Sequence, residues 1–130
     1  MGYRSKVIIG VKSGELSKEF EDILRKHKFP VDKPDGAYFK IHRDHKNLSK
    51  KESLATKTFY TFEYTKWYES DDWCKEIVDW LISGEMDKID RQDGVDDVFC
   101  IGLGEDGQVH SEIGDYHDYV ERVCDINLID

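Results

Sequence analysis

Long apolar runs are missing from this chain of 130 residues, and cysteine is sparse. No run approaches the ~20 consecutive apolar residues that a membrane-spanning helix needs. Residues 1–10 lack the apolar centre and small-residue cleavage site of a secretory signal peptide. The three cysteines are far apart and include no C-x-x-C pair, which argues against a disulfide framework and a zinc ribbon. These absences predict a cytoplasmic protein in a reducing compartment, without membrane association.

Positive charge is scarce in the second half of the chain. Residues 1–68 hold 15 Lys and Arg against 9 Asp and Glu, a net charge of +6, whereas residues 69–130 hold 4 against 19, a net charge of -15. A negative field of this size repels nucleic acid and attracts basic surfaces, including those with which other proteins hold nucleic acid. The alternative is a solvated acidic face that keeps a small protein soluble.

The glycines between residues 102 and 107 form a G-x-G-x-x-G motif. A phosphate-binding loop of this type requires a helix directly after the glycines. Residues 108–113 (QVHSEI) show no helical spacing, and the carboxylates of Glu105 and Asp106 would repel a phosphate. The pattern therefore predicts a β-hairpin with Glu105, Asp106 and Gly107 at its tip.

Apolar spacing along the chain predicts elements in the order β-α-β-β-α-β-β-α. Strands are predicted at residues 6–12, 37–42, 57–68, 98–102 and 108–114. Helices are predicted at residues 16–27, 70–84 and 115–123, with Ser70 as an N-cap, and connections at residues 43–56 and 85–97. The expected fold class is α+β, a single domain over residues 1–130 with a mostly antiparallel sheet of about five strands and two or three helices packed on one face.

Residues 57–68 (KTFYTFEYTKWY) are the clearest predicted strand, because aromatic and β-branched residues alternate along them. One face of this strand is almost entirely aromatic, and we expect it to be buried against the sheet's helices. Its members are Tyr60, Phe62, Tyr64 and Tyr68.

Familiar catalytic and metal-binding signatures do not fit the sequence. Aligning Gly94 with the glycine of an EF-hand loop places Ile89 and Arg91 where carboxylates are required, which leaves only a weak, irregular cation site open. Cys100 and His110, close across the hairpin, are the one conceivable nucleophile and base, but a cysteine in an apolar strand is typical of a core residue. We therefore predict no catalytic residue, no metal site and no cofactor, and we do not predict an enzyme.

Three short motifs carry a resemblance to known proteins. They are Tyr-Arg-Ser at residues 3–5 before an apolar strand, Lys-Trp-Tyr at residues 66–68 before a Trp-containing helix, and Ile-Gly at residues 101–102 with acids at residues 105–106. With these motifs the chain resembles a group of small uncharacterised proteins encoded in bacteriophages and prophages. In that group the acids follow the glycine directly, whereas residues 103–104 intervene here. The resemblance implies an infected bacterial host as the setting and implies no chemistry.

The first functional hypothesis combines the phage setting with the acidic half. Small acidic phage proteins are often inhibitors of host defence that cover a basic nucleic-acid groove with carboxylates in place of phosphates. The chain is therefore expected to be an anti-defence, anti-CRISPR-like inhibitor whose partner is a host protein with a basic nucleic-acid-binding surface, without binding nucleic acid itself. The candidate partner-binding residues are Asp87, Asp90, Asp93, Asp96, Asp97, Glu105 and Asp106.

The second hypothesis is a protein that binds or sequesters a small ligand or nucleotide through an aromatic surface. Aromatic rings stack on bases, and the lysine-rich residues 46–57 could meet phosphates. The alternative is that these rings only pack in the core and at its edge. A minor phage structural or assembly component is a third possibility. The candidate ligand-binding residues are Tyr60, Tyr64, Trp67 and Tyr68.

Overall fold

The computed structural model describes residues 4–32, 38–45, 57–68, 71–86, 98–114, 120–122 and 126–128. Within these ranges the elements are β1 (Ser5–Lys12), α1 (Glu15–Lys26), β2 (Phe39–His45), β3 (Lys57–Thr65), α2 (Asp72–Met86), β4 (Val98–Gly104), β5 (Val109–Ile113), β6 (Val120–Arg122) and β7 (Ile126–Leu128). The first seven elements confirm the predicted order.

Strands β1 to β5 form one antiparallel sheet in the order β2-β3-β1-β4-β5. The central strand β1 pairs with β3 on one side and β4 on the other, and Val7, Ile8 and Ile9 are at most 1% exposed. A strand buried on both faces is expected to be a continuous apolar run, as residues 7–11 are. The predicted α+β class with a five-stranded antiparallel sheet is confirmed.

Helices α1 and α2 contribute to the core on one face of the sheet. Phe20 and Leu24 of α1 lie one helical turn apart, so both reach the sheet, where they join Ile77 and Leu81 of α2. After α1 the chain turns with a hydrogen bond from the Phe29 N–H to the Leu24 carbonyl of 2.9 Å. This turn brings the Phe29 ring within 5.4 Å of the Phe62 ring on β3, measured between centroids.

The opposite face of the sheet carries a second apolar core that the sequence did not indicate. Ile8, Phe59, Phe99 and Ile101 cluster there with Ile126 of β7, which is fully buried. Strands β6 and β7 form a separate two-stranded antiparallel sheet. Ile126 therefore helps to cover the face that lies away from the two helices.

The predicted C-terminal helix at residues 115–123 is wrong where the structure describes it. Val120–Arg122 is strand β6, and Val120 pairs with Leu128 of β7. The helical spacing of the apolar residues was overridden by tertiary contacts, since the strand pair seats Ile126 in the second core. Residues 115–119 and 123–125 lie outside the described residues.

Several element boundaries also differ from the prediction. β3 ends at Thr65 rather than residue 68, and β4 runs to Gly104 rather than residue 102. β2 begins at Phe39 rather than residue 37 and runs to His45, because its pairing with β3 extends to Lys57 and includes residues predicted as loop. α2 continues through Gly84 to Met86 instead of ending at residues 83–84. The proposed N-cap Ser70 and the connection at residues 87–97 lie outside the described residues.

Gly10 is required by the second core. A Cβ at Gly10 would lie 2.1 Å from Cε2 of Phe99, whose side chain is fully buried, so the ring or the strand would have to shift within a packed core. Gly10→Ala is therefore expected to lower the free energy of unfolding by about 1–3 kcal/mol, the usual cost of overpacking. Urea unfolding followed by circular dichroism measures this loss.

The double variant Gly10→Ala with Phe99→Leu is the matched control. Its loss should be smaller than the sum of the two single losses, because the smaller side chain removes the collision. Strict additivity of the two substitutions would contradict the proposed contact.

Candidate functional site

A β-bulge in β3 places an aromatic side chain on the surface. Ser5 pairs with Thr65 and Val7 pairs with Phe62, so Glu63 and Tyr64 together face Lys6. The bulge ends the alternation predicted for residues 57–68. Tyr64, expected in the buried face, is instead 62% exposed, and its φ of 52° lies in the left-handed region that tyrosine rarely adopts.

Arg4 is held against this exposed ring by the tip of the β4–β5 hairpin. The Arg4 backbone N–H donates to Oε1 of Glu105 at 3.1 Å, and the Glu105 N–H donates to the Arg4 carbonyl at 2.9 Å. The Arg4 guanidinium carbon lies 5.2 Å from the centroid of the Tyr64 ring, which is the geometry of a cation–π contact. Arg4 therefore lies between the bulge of β3 and the hairpin tip.

Tyr38 provides a second exposed ring beside Tyr64. It lies just before β2, and its carbonyl accepts a hydrogen bond of 2.8 Å from the Glu63 N–H at the bulge. The Tyr38 ring is 66% exposed, and its centroid lies 6.4 Å from that of Tyr64 with 35° between the planes. We call these two residues the tyrosine pair.

A cleft of about 380 Å³, here called the aromatic cleft, opens at the tyrosine pair. Phe29, Phe39 and Phe62 supply its apolar lining, and the cations Arg4 and Lys66 belong to its walls. Phe39 and Phe62 are almost fully buried, so the lining is fixed by the core. This combination can accept a planar apolar group next to a negative charge.

A second cleft of about 330 Å³, here called the charged cleft, shares the lining residues Arg4, Glu63 and Tyr64 with the first. Lys6 and Glu105 also line it, and the Lys6 ammonium lies 3.3 Å from Oε1 of Glu63. The described residues of its lining include two carboxylates and two cations, so these residues carry no excess of positive charge.

Three of the four predicted ligand-binding aromatics do not lie at these clefts. Tyr60 is fully buried, and its hydroxyl donates to Oε2 of Glu21 at 2.8 Å. Trp67 is 6% exposed and packs edge-on against Trp73, with ring centroids 5.5 Å apart. Tyr68 is half-buried, and its carbonyl accepts the Asp71 N–H at the start of α2. Tyr64 is the one of the four that the structure places in the clefts.

The predicted hairpin of β4 and β5 is confirmed, with Gly107 at φ 81° in its turn. Glu105 and Asp106 are both exposed at its tip. The other acids proposed for partner binding lie outside the described residues: Asp87, Asp90, Asp93, Asp96 and Asp97.

Sequence reasoning missed Arg4 and Tyr38 as site residues. Arg4 belongs to the Tyr-Arg-Ser motif, and Tyr38 lies in the strand predicted at residues 37–42, but neither was predicted to bind a ligand. The available signal was the presence of these residues directly at strand ends, where side chains leave the sheet and can meet across its edge.

His110 fastens the hairpin to β1 rather than pairing with Cys100. Its Nε2 lies 2.8 Å from Oγ of Ser5, and its Nδ1 lies 2.9 Å from Oγ of Ser111. The ring occupies the space above Gly102, where a Cβ would lie 2.6 Å from Cε1. Cys100 is fully buried in the core, and burial raises the pKa of its thiol well above the usual range. No hydrogen bond joins Cys100 to His110 in the described part of the chain.

The fastening by His110 should make stability depend on pH. Burial lowers the pKa of His110 below its usual 6.5, and Asp106 opposes this only in part. Because the unfolded chain then takes up the proton more readily, the free energy of unfolding should fall as the pH drops below about 6.5. Urea unfolding at pH 7.5 and 5.5 measures the fall, and His110→Gln should reduce it.

His42→Gln removes a histidine from the edge strand β2 and serves as the control. An equal fall between the two pH values in the wild-type protein and in His110→Gln would contradict the assignment to His110.

In the described ranges, no helix is long and apolar enough to cross a membrane, and no three His, Cys, Asp or Glu side chains are grouped to hold a metal ion. Comparison with known proteins gives this chain no family: no family model matches it, and neither a curated protein nor a solved structure matches it significantly. The two clefts that Tyr64 and Arg4 both line are therefore the basis on which a function can be inferred.

Proposed function

We propose that the protein binds a small, planar, negatively charged ligand of the nucleotide class at the aromatic cleft. The observation that carries this proposal is Tyr64, a large aromatic side chain that is 62% exposed although its backbone has a φ of 52°. The other residues that line the cleft indicate which ligand such a ring would bind.

The backbone conformation of Tyr64 lowers the stability of the fold. A non-glycine residue in a rarely populated backbone region costs about 1–3 kcal/mol, and asparagine or glycine would occupy it more easily. Burial does not repay this cost, since most of the ring faces solvent. Strained residues with exposed functional groups are common at binding sites, where the surrounding structure holds them in place.

The groups around the ring select the ligand. The tyrosine pair and the apolar lining from Phe29 favour stacking with a base or a similar planar group. Arg4 presents a planar cation at the cleft. Among the described residues, no carboxylate forms an ion pair with its guanidinium. A guanidinium can bind a phosphate or carboxylate through two parallel hydrogen bonds. A base joined to a single phosphate satisfies both parts of the cleft.

Replacing Tyr64 should separate binding from stability. Tyr64→Asn removes the ring while tolerating the left-handed backbone, so affinity for UMP and GMP should fall about tenfold or more, as expected for loss of one stacking contact. The melting temperature should stay constant or rise by roughly 3 °C, because about 1 kcal/mol of strain is relieved. Isothermal titration calorimetry and thermal unfolding measure the two effects.

Tyr64→Phe is the matched control, because it keeps the ring and the strain and should keep the affinity. If Tyr64→Asn binds these mononucleotides as well as the wild-type protein does, the aromatic cleft is not the binding site.

A second candidate function is inhibition of a host nucleic-acid-handling protein by an acidic surface, and the phage setting implied by the resemblance remains a prediction. Two observations favour it: the net charge of -15 over residues 69–130, and the exposure of Glu105 and Asp106 at the end of a hairpin. Carboxylates at such a tip can reach into a groove that holds phosphates. Other acids would extend this surface if they lie nearby.

Charge reversal tests the inhibitor hypothesis. The variant with Asp93, Asp96, Asp97 and Asp106 all changed to Lys should lose inhibition of the nuclease or CRISPR effector that the wild-type protein captures from a bacterial lysate. Inhibition by the wild-type protein should also weaken at high salt, because the attraction is electrostatic. Activity assays of the captured enzyme with both proteins measure this.

The reversal changes none of the described residues that line the two clefts, so mononucleotide binding is the control for correct folding. Inhibition that survives the reversal, or captured proteins that keep full activity, would refute the acidic-surface mechanism.

A further inference from the structure

We infer that the ligand is a dinucleotide, with one base in the aromatic cleft, the phosphodiester at Arg4 and the second base in the charged cleft. This inference rests on the proposed nucleotide-binding function and specifies its ligand.

The two clefts are suited to a ligand of two parts. They hold about 380 and 330 Å³, and Arg4, Glu63 and Tyr64 are lining residues of both. Sites for small molecules usually measure about 300–1,000 Å³, so each cleft alone is at the small end of that range. A mononucleotide in the aromatic cleft would leave the charged cleft vacant, whereas two linked nucleosides would occupy both.

The charged cleft is suited to a base and not to a phosphate. Among the described residues, the one cation that lines it besides Arg4 is Lys6, which is already engaged with Glu63 at 3.3 Å. The carboxylates of Glu63 and Glu105 would repel a phosphate, but they accept hydrogen bonds from N–H groups. The edge of guanine, where an imino and an amino group donate side by side, matches a carboxylate better than adenine does.

The position of Arg4 assigns the linking group. Arg4 belongs to the lining of both clefts, and its guanidinium lies over Tyr64, which also lines both. A group that joins the two halves of the ligand would therefore come within its reach. A phosphodiester carries one negative charge, which one guanidinium can balance. A triphosphate or a long strand would carry further charges toward a protein of net charge -9, which disfavours both.

Binding measurements with defined nucleotides test the dinucleotide assignment. Isothermal titration calorimetry with UMP, GMP, GTP, UpG and UpA should show UpG binding at least about tenfold more tightly than either mononucleotide, because the second base binds in an already tethered state. GTP should bind more weakly than GMP. UpG should also bind more tightly than UpA, because adenine lacks the paired donors.

Glu105→Gln tests the position of the second base. Because Glu63 is paired with Lys6, Glu105 is the carboxylate that the described lining leaves for guanine. Glu105→Gln keeps an oxygen that can accept the Arg4 N–H but loses this carboxylate, so the preference for UpG over UpA should disappear. Asp106→Asn, at the neighbouring residue that lines neither cleft, is the matched control and should keep the preference.

The outcomes separate this inference from the function on which it rests. Equal affinities for UMP, GMP and UpG would overturn the dinucleotide assignment and leave nucleotide binding in place. Tight binding of UpG without a preference over UpA, or a preference that survives Glu105→Gln, would overturn the placement of the second base. Failure of every nucleotide to bind would overturn the proposed function together with the inference.

Discussion

The pairing of β1 on both of its sides is the constraint on which the rest of the structure depends. Its residues alternate between two buried cores: Val7 and Ile9 face the helices, and Ile8 faces the core that contains Ile126. A slip by one residue would exchange the two sets, so the register is fixed. An extra residue in β3 can therefore be accommodated only locally, and the bulge that results turns Tyr64 out of the sheet.

The same constraint gives the candidate site a rigid base. Arg4 directly precedes β1, and Tyr64 belongs to its neighbour β3, so both positions are set by strand pairing. On the other side, Glu105 and His110 tie the hairpin of β4 and β5 to the first residues of β1. Side chains that are held by such elements lose little further freedom when a ligand binds, which favours affinity.

The sequence predicted the elements whose apolar pattern is repeated over many residues. It did not predict features that depend on contacts with distant parts of the chain. The amphipathic spacing of α1 and the glycine at position 107 were sufficient for a helix and a hairpin tip. The bulge could not be predicted, because the alternation along the sequence of β3 is continuous. The extra residue becomes visible only in the pairing with β1, where two residues of β3 face Lys6. The segment of β6 has the apolar spacing of a helix. It forms a strand because it pairs with β7, whose Ile126 packs in the second core. Within the site, both Tyr60 and Tyr64 were predicted to bind a ligand because both have an aromatic ring, but only Tyr64 is exposed.

The sheet order is also compatible with the proposed site for a singly charged ligand on a strongly acidic protein. Strands β1, β2 and β3 come from the half of the chain with net charge +6, and β4 and β5 come from the half with net charge -15. Because β1 pairs with β4, the boundary between the halves runs along this pairing and ends where Arg4 meets Glu105. Arg4 and Lys6 from the first half therefore lie in the same cleft as Glu105 from the second half, together with Glu63, which is paired with Lys6. A surface of this kind discriminates by the placement of charge more than by its amount, since an anion and a hydrogen-bond donor must approach from the correct sides.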